Sequence, residues 1–386
     1  MRGSKSWLLL LLAGFVFSNC SQPRNDTGAQ SRTAPLFEQQ NLFSAGEHGY
    51  TRFRIPALVV SSKGTILAFA EARKGGGHDW DEIDLVLRRS FDHGRTWEAM
   101  QVIADEGTQT MNQPCPVLDR ETGTLWLPFC KNNQQVYVTK STDDGASWSA
   151  PVEITSSVKD PSWKYLGAGP GHGIQLKSGR LLIPSWGDTS PGPVTWGASA
   201  NWGKVQFSYA FYSDDHGATW KRGNPLDSDL SDECEVVETS DGKVYMNMRS
   251  RQDKNYRAYA WSEDGGITWS KVQFDESLPE PSCQAGMVRF SSKPESQKDR
   301  VLLSHPASRI DRSRLTLRLS YDECHTWPVS KLVDEGRSAY SDLAVAADQT
   351  ILCLYESDRA ASPTARRALT LARLNLAWLT DGADSP

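Results

Sequence analysis

The chain has 386 residues, enough for one large domain or two ordinary ones. A hydrophobic fraction of 38%, with 14 Trp but only 6 Met, points to a soluble, β-rich, aromatic-heavy domain rather than a helical bundle. Lys and Arg number 42 against 47 Asp and Glu, a net charge of -5 with no long basic run, which argues against a nucleic-acid partner.

The N-terminus has the pattern of an export signal. Arg2 and Lys5 give a basic start, and Trp7 to Phe17 an apolar run too short to span a membrane. The run ends at Phe17-Ser18-Asn19-Cys20, similar to a bacterial lipoprotein cleavage box, although Asn19 and Phe17 depart from its usual residues. Residues 1–20 are expected to be a signal peptide that directs export to the periplasm or outer surface. A lipid on Cys20 would be the chain's membrane attachment; an ordinary signal cut near Cys20 is the alternative. Residues 21–38 are polar and read as a flexible tether. The other cysteines form no C-x-x-C pair and read mostly as small buried residues.

From Thr51 onward the chain reads as short strands. Phe53-Arg54-Ile55-Pro56 leads into an apolar run, Ala57 to Val60. A turn at Ser62-Lys63-Gly64 precedes Thr65 to Ala70, which ends on Glu71-Ala72-Arg73. A glycine-rich loop, Lys74 to Trp80, carries Asp79, and a third strand runs from Ile83 to Arg89. It leads into the octet Ser90 to Trp97, whose pattern S-x-D-x-G-x-[ST]-W returns at Ser141–Trp148, Ser213–Trp220 and Ser262–Trp269. A fifth copy, Ser320–Trp327, has Cys324 in place of the Gly. Each copy follows a strand-like run. The Asp can accept backbone N–H bonds across the turn, the Gly supplies positive φ, and the Trp can pack on a neighbouring strand. Recurrence of one supersecondary unit with no long amphipathic helix predicts an all-β chain, a six-bladed β-propeller over residues 39–380.

The Arg-Ile-Pro entry together with these octets, known as Asp boxes, resembles the exo-sialidase (neuraminidase) family of bacteria and animals over nearly the whole chain after the tether. That family is built on a six-bladed propeller. The resemblance implies a retaining exo-α-sialidase that removes terminal sialic acids from glycoproteins, mucins and gangliosides. A clamp of three arginines would hold the sugar carboxylate, since the planar guanidinium fork binds a carboxylate bidentately and stays charged. The matching positions are Arg54, Arg249 and Arg312, with Arg314 as a rival for the third.

The family's nucleophile is a tyrosine. A neutral phenol avoids the repulsion a carboxylate would meet on approaching a carbon that already bears one. Tyr340 in Ala339-Tyr340-Ser341-Asp342 matches that role. Glu233 in Asp232-Glu233-Cys234-Glu235 matches its base, with Glu235 as the rival. Asp79 matches the general acid/base, with Asp81 and Asp84 nearby. Arg73 resembles a site arginine near the sugar's 4-position, and Glu356 the partner of the first clamp arginine. Trp186, Trp196 and Trp202 border a Pro/Gly stretch; they would stack on glycan or pack between blades. The histidines are scattered, with no H-x-x-x-H pair, so no metal or cofactor is expected. Transfer to another sugar, an anhydro product, or glycan binding without turnover remain the alternative outcomes on the same site.

Overall fold

The structure, a computed structural model, describes residues 33–189, 205–227, 230–358 and 367–386. The signal, most of the tether, and Trp196 and Trp202 lie outside the described residues. Thr33–Pro386 is one compact unit. It extends past the expected 39–380 at both ends. A strand already begins at Phe37, and Arg300 Nε donates to the buried Asp384 carboxylate at 2.8 Å.

Among the described residues, the strands pair into five antiparallel sheets. The first is a meander of Arg52–Val60, Ile66–Arg73, Ile83–Ser90 and Gln101–Ala104. In the second, Met111–Asn112 and Val117–Leu118 both pair with Leu125–Lys131, followed by Gln135–Ser141 and Val152–Glu153. The third joins Tyr165–Ala168 and Ile174–Gln175 to Leu181–Asp188, then Gln206–Ser213 and Lys221–Arg222. The fourth runs Ser231–Glu238, Val244–Ser250, Tyr256–Ser262 and Gln273–Pro279. The fifth has seven strands, because Val329–Val345 serves two neighbours. Its first half, Val329 to Arg337, pairs with Ser313–Ser320, and its second, Ser338 to Val345, with Ile351–Ser357. Gly286–Ser291 and Arg300–Pro306 extend one side. Ala368–Leu374 and the N-terminal Phe37–Ser44 complete the other.

The octets show why these residue types recur. In the first, Ser90 Oγ donates to Asp92 Oδ1 at 2.9 Å and accepts from Gly94 N at 2.9 Å, while Thr96 N donates to Asp92 Oδ1 at 2.8 Å. The same three bonds recur in every copy, including Ser320, Asp322, Cys324 and Thr326. The Asp, Ser and Thr therefore satisfy turn donors that would otherwise compete for water. A Cβ on Gly217 would sit 2.2 Å from the Trp126 ring, and one on Gly145 2.4 Å from Leu67. Cys324 holds the same left-handed backbone at φ 70° and puts its thiol into a buried cluster with Tyr245 and Trp327.

Each octet leans on the sheet before it. Gly145 meets Leu67, Gly217 meets Trp126, Gly266 meets Leu182, and Ser240 Oγ bonds Glu323 at 2.8 Å. The first octet meets the last strands of the chain, with Gly94 against Leu352 and His93 O accepting from Arg373 Nε at 2.8 Å. The contacts form a closed circuit. Leading strands of the sheets converge inside it: Leu58 N donates to Asp342 Oδ2 at 2.7 Å, and Gln284 Nε2 to the carbonyls of Pro170 and Ser341 at 3.2 and 3.0 Å. Cys115, Cys130, Cys234, Cys283, Cys324 and Cys353 are all buried, as their reading as small buried residues expects, and all are free thiols, which the sequence left open.

Candidate active site

Three leading strands break their ladder register where a candidate residue stands. The slips fall between Arg54 and Ala57, between Ser231 and Cys234, and between Ser338 and Ser341. Such bulges bend a strand and re-aim its side chains. They free Arg54, Glu233 and Tyr340 from the regular alternation. At the first bulge Ile55 has φ 54°, which a β-branched residue adopts only under constraint. Its N–H donates to Glu356 Oε1 at 3.2 Å, and its side chain is buried with Cys283 and Tyr340, which hold it there.

The three clamp candidates surround Tyr340. Arg54 Nε donates to Glu356 Oε1 at 3.0 Å, the pairing the sequence implied. Arg249 Nη1 donates to the Tyr340 hydroxyl at 3.0 Å and to Glu233 Oε2 at 2.6 Å. The Arg54 and Arg312 guanidinium carbons lie 5.1 and 5.5 Å from the Tyr340 ring centre. The Tyr340 hydroxyl in turn donates to Glu233 Oε1. Burial and the Glu233 carboxylate raise the phenol's pKa, against the lowering pull of Arg249, Arg312 and Arg54. The phenol is thus neutral at rest, with a proton acceptor in contact and three cations ready to stabilise its anion.

Asp79 stands on the Lys74–Asp81 loop at the rim, its side chain 57% exposed. Its Oδ1 accepts from Arg54 Nη1 at 2.9 Å and from Arg73 Nη1 at 2.5 Å. Partial desolvation pushes its pKa up, but Arg54 and Arg73 outweigh it and hold the carboxyl at about 2. Arg73 is itself buried and fixed by Glu71, whose other oxygen accepts from Gln113 N at 2.9 Å.

The rivals fall elsewhere. Asp81 accepts from His78 N at 2.8 Å and shapes the loop; Asp84 is buried under the Tyr50 hydroxyl at 2.6 Å. Arg314 is exposed, whereas Arg312 Nη2 donates to the Ser282 carbonyl at 2.9 Å. Glu235 is fully buried beneath the site, accepting from His172 N at 3.1 Å. With His172 and Asp342 it is a group of three potential metal-ligand side chains, but His172 Nδ1 pairs with Asp342 Oδ1 at 2.9 Å, and Asp342 also accepts from Leu58 and Leu343 N–H groups. Trp186 is buried and tilted against Tyr165 at 4.3 Å, which is packing rather than an open glycan platform.

One contact was not legible in the sequence. Ser282 Oγ accepts from Arg249 Nε at 3.3 Å while the Ser282 carbonyl holds Arg312, so one residue ties two guanidiniums together. Its backbone is left-handed at φ 54°. A lone serine after Glu280-Pro281 carries no sequence signal for this. The Glu71–Arg73 pairing did have one, since residues two apart share a strand face.

Residues 64–353 match the BNR repeat-like domain, so the chain is a BNR-repeat protein. The chain is similar to a sialidase of Micromonospora viridifaciens, 34% identical over 89% of this chain and 55% of the relative. It is also similar to a Bacteroides fragilis sialidase, 32% identical over 81% of this chain and 61% of that one. Hamster (Cricetulus griseus) sialidase-2 is 32% identical over 84% of the chain and 93% of its own length. The chain belongs to the sialidase family. It spans little more than half the length of the two bacterial relatives. Among solved structures it is similar to a Hadza microbial sialidase, with a TM-score of 0.76 and 28% identity over 88% of this chain and 69% of that one. Its all-β fold is that of the sialidase propellers.

Proposed function

We propose that the chain is a retaining exo-α-sialidase that hydrolyses terminal sialic acids from glycoconjugates, on a propeller of six blades. Six follows from counting the seven-stranded sheet as two blades that share the Val329–Val345 strand. The observation that carries the activity is the Tyr340–Glu233 contact enclosed by Arg54, Arg249 and Arg312.

The clamp arginines bind the substrate carboxylate and set the anomeric carbon over the Tyr340 oxygen. Glu233 takes the phenolic proton as that oxygen attacks, and the arginines stabilise the developing phenolate. Asp79 gives its proton to the leaving oxygen. In the free site Asp79 is ionised because Arg54 and Arg73 face it. A bound substrate carboxylate takes over Arg54 and adds a negative charge nearby, and both changes raise the Asp79 pKa. Binding therefore loads the acid. Asp79 then removes a proton from water, which attacks the sugar–Tyr340 bond and releases sialic acid with net retention, while Glu233 returns the proton to Tyr340. Asp79 takes its first proton from solvent on binding and recovers it from the attacking water, and Glu233 and Tyr340 exchange the other between themselves.

The substrates would be sialylated glycoproteins, mucins and gangliosides. Export under residues 1–20, with the tether and lipidation of Cys20, belongs to the same reading and is supported by the basic-then-apolar N-terminus. Release of 4-methylumbelliferone from its α-sialoside tests the activity. Tyr340→Phe should reduce kcat by about 10³-fold or more with the protein still folded; full turnover by that variant would overturn the mechanism.

A further inference from the structure

Beside the clamp opens a cavity of about 260 Å³, lined by Arg54 and Arg312 and by three further arginines, Arg52, Arg337 and Arg367. Its acids among the described residues are Glu356 and Asp358. Glu356 is committed to Arg54 and to the Ile55 N–H. Asp358 stands 3.5 Å from Arg337 and 3.8 Å from Arg367. Arg337 and Arg367, both outside the clamp, therefore share one carboxylate. Burial first, and then repulsion from Arg367, Arg54 and Arg73, lower the Arg52 pKa against the opposing pull of Glu356.

The position of the cavity relates it to the leaving group. Arg52 Nη1 reaches the Gly77 carbonyl, 3.4 Å away, in the loop that carries Asp79. A leaving oxygen must face Asp79, so a sugar attached to it passes beside this loop, and Arg52 is the cavity residue that touches the loop. The volume falls below the ~300–1,000 Å³ of a whole ligand site, which suits one group on a molecule already held in the clamp. The hydroxyls and N-acyl group of the clamped sugar are neutral and leave the cavity's arginines unanswered.

We propose that this cavity is an aglycone subsite for an anion: a carboxylate or sulfate ester on the sugar next to the one released. The proposal rests on the sialidase reading above. Two substrate types carry that chemistry: a sialic acid linked α2,8 to a second sialic acid, and a sialoside with a sulfated penultimate sugar. Arg337 and Arg367 sit outside the catalytic machinery and recognise the charge.

The test compares kcat/KM for four substrates at low salt: the α2,8-linked sialic acid dimer, α2,3-sialyllactose, its sulfated form, and the 4-methylumbelliferone sialoside. The intact chain should favour a charged aglycone over the neutral one by about tenfold, as expected for two partly exposed charge contacts. The Arg337→Ala/Arg367→Ala double variant, and 0.5 M salt, should bring that ratio close to one, with the fluorogenic activity kept. A preference for the dimer alone assigns the carboxylate, and for the sulfated sugar alone the sulfate. Equal handling of charged and neutral aglycones, or equal loss of both in the double variant, overturns the subsite while leaving the sialidase reading intact. Release from none of the four overturns both.

Discussion

Ser282 offers a sharp test of how the clamp is held. Ser282→Gly keeps the carbonyl that Arg312 binds and deletes only the Oγ that Arg249 Nε reaches at 3.3 Å. Two backbone effects nearly cancel. A non-glycine residue at φ 54° costs about 1–2 kcal/mol, which Gly relieves, while the greater freedom of Gly in the unfolded chain takes back about 0.5–1 kcal/mol. Losing a long hydrogen bond to a charged group costs about 1 kcal/mol, below the usual range for such bonds. Stability should therefore change little. The effect should appear in substrate recognition, because Arg249 loses the contact that fixes its fork. About 1 kcal/mol corresponds to a KM about fivefold higher and a similar weakening of a carboxylate-bearing competitive inhibitor, with kcat much less affected. Thermal unfolding and steady-state kinetics on the fluorogenic sialoside supply the two readouts. An unchanged KM and inhibitor constant in a variant of unchanged stability would refute the idea that Ser282 positions the clamp.

The other expectations follow from the same geometry. Asp79→Asn should lower kcat on sialyllactose by about 10²–10⁴-fold and much less on the 4-methylumbelliferone sialoside, whose leaving group needs little protonation. Arg312→Ala should raise KM by about 10²-fold whereas Arg314→Ala leaves it unchanged, measured on either substrate. Burial and the Asp342 carboxylate raise the Glu235 pKa, and Asp342 raises that of His172 against the opposing effect of burial. Both folded-state values lie above the unfolded ones. At these two sites the folded chain thus holds more protons than the unfolded one, and their contribution to stability should decline as pH rises from about 4.5 through neutrality. Glu235→Gln should flatten that decline in denaturant melts; an unchanged pH slope would count against a proton stored on Glu235.

The repeat was legible because every element of the turn is local. Ser, Asp, Gly and Thr of one octet bond one another within a few residues, and the cost of a Cβ at Gly217 or Gly145 enforces the pattern. The fifth octet shows the limit of that rule, since Cys324 keeps the backbone and every bond without the glycine. Arg54 was legible through its Arg-Ile-Pro setting, and the structure adds the reason: a strained Ile55 and a bulge aim the guanidinium inward. The group His172, Glu235 and Asp342 left no trace in the sequence. Its members come from separate strands and loops and meet only after the sheets have closed on one another. Ser282 is invisible for the related reason that its role depends on a carbonyl direction, which side-chain chemistry does not encode.

The last half-sheet is stitched from opposite ends of the chain, Phe37–Ser44 lying against Ala368–Leu374. Tyr340 belongs to the strand that founds this half-sheet. Folding must therefore bring residues more than three hundred positions apart together before the circuit can shut, a late and slow step for any chain. Until then the phenol has no fixed distance to Glu233 or Arg249, which stand on a different sheet. Every intermediate short of closure is catalytically silent, so the appearance of turnover during refolding would time the closing of the seam itself.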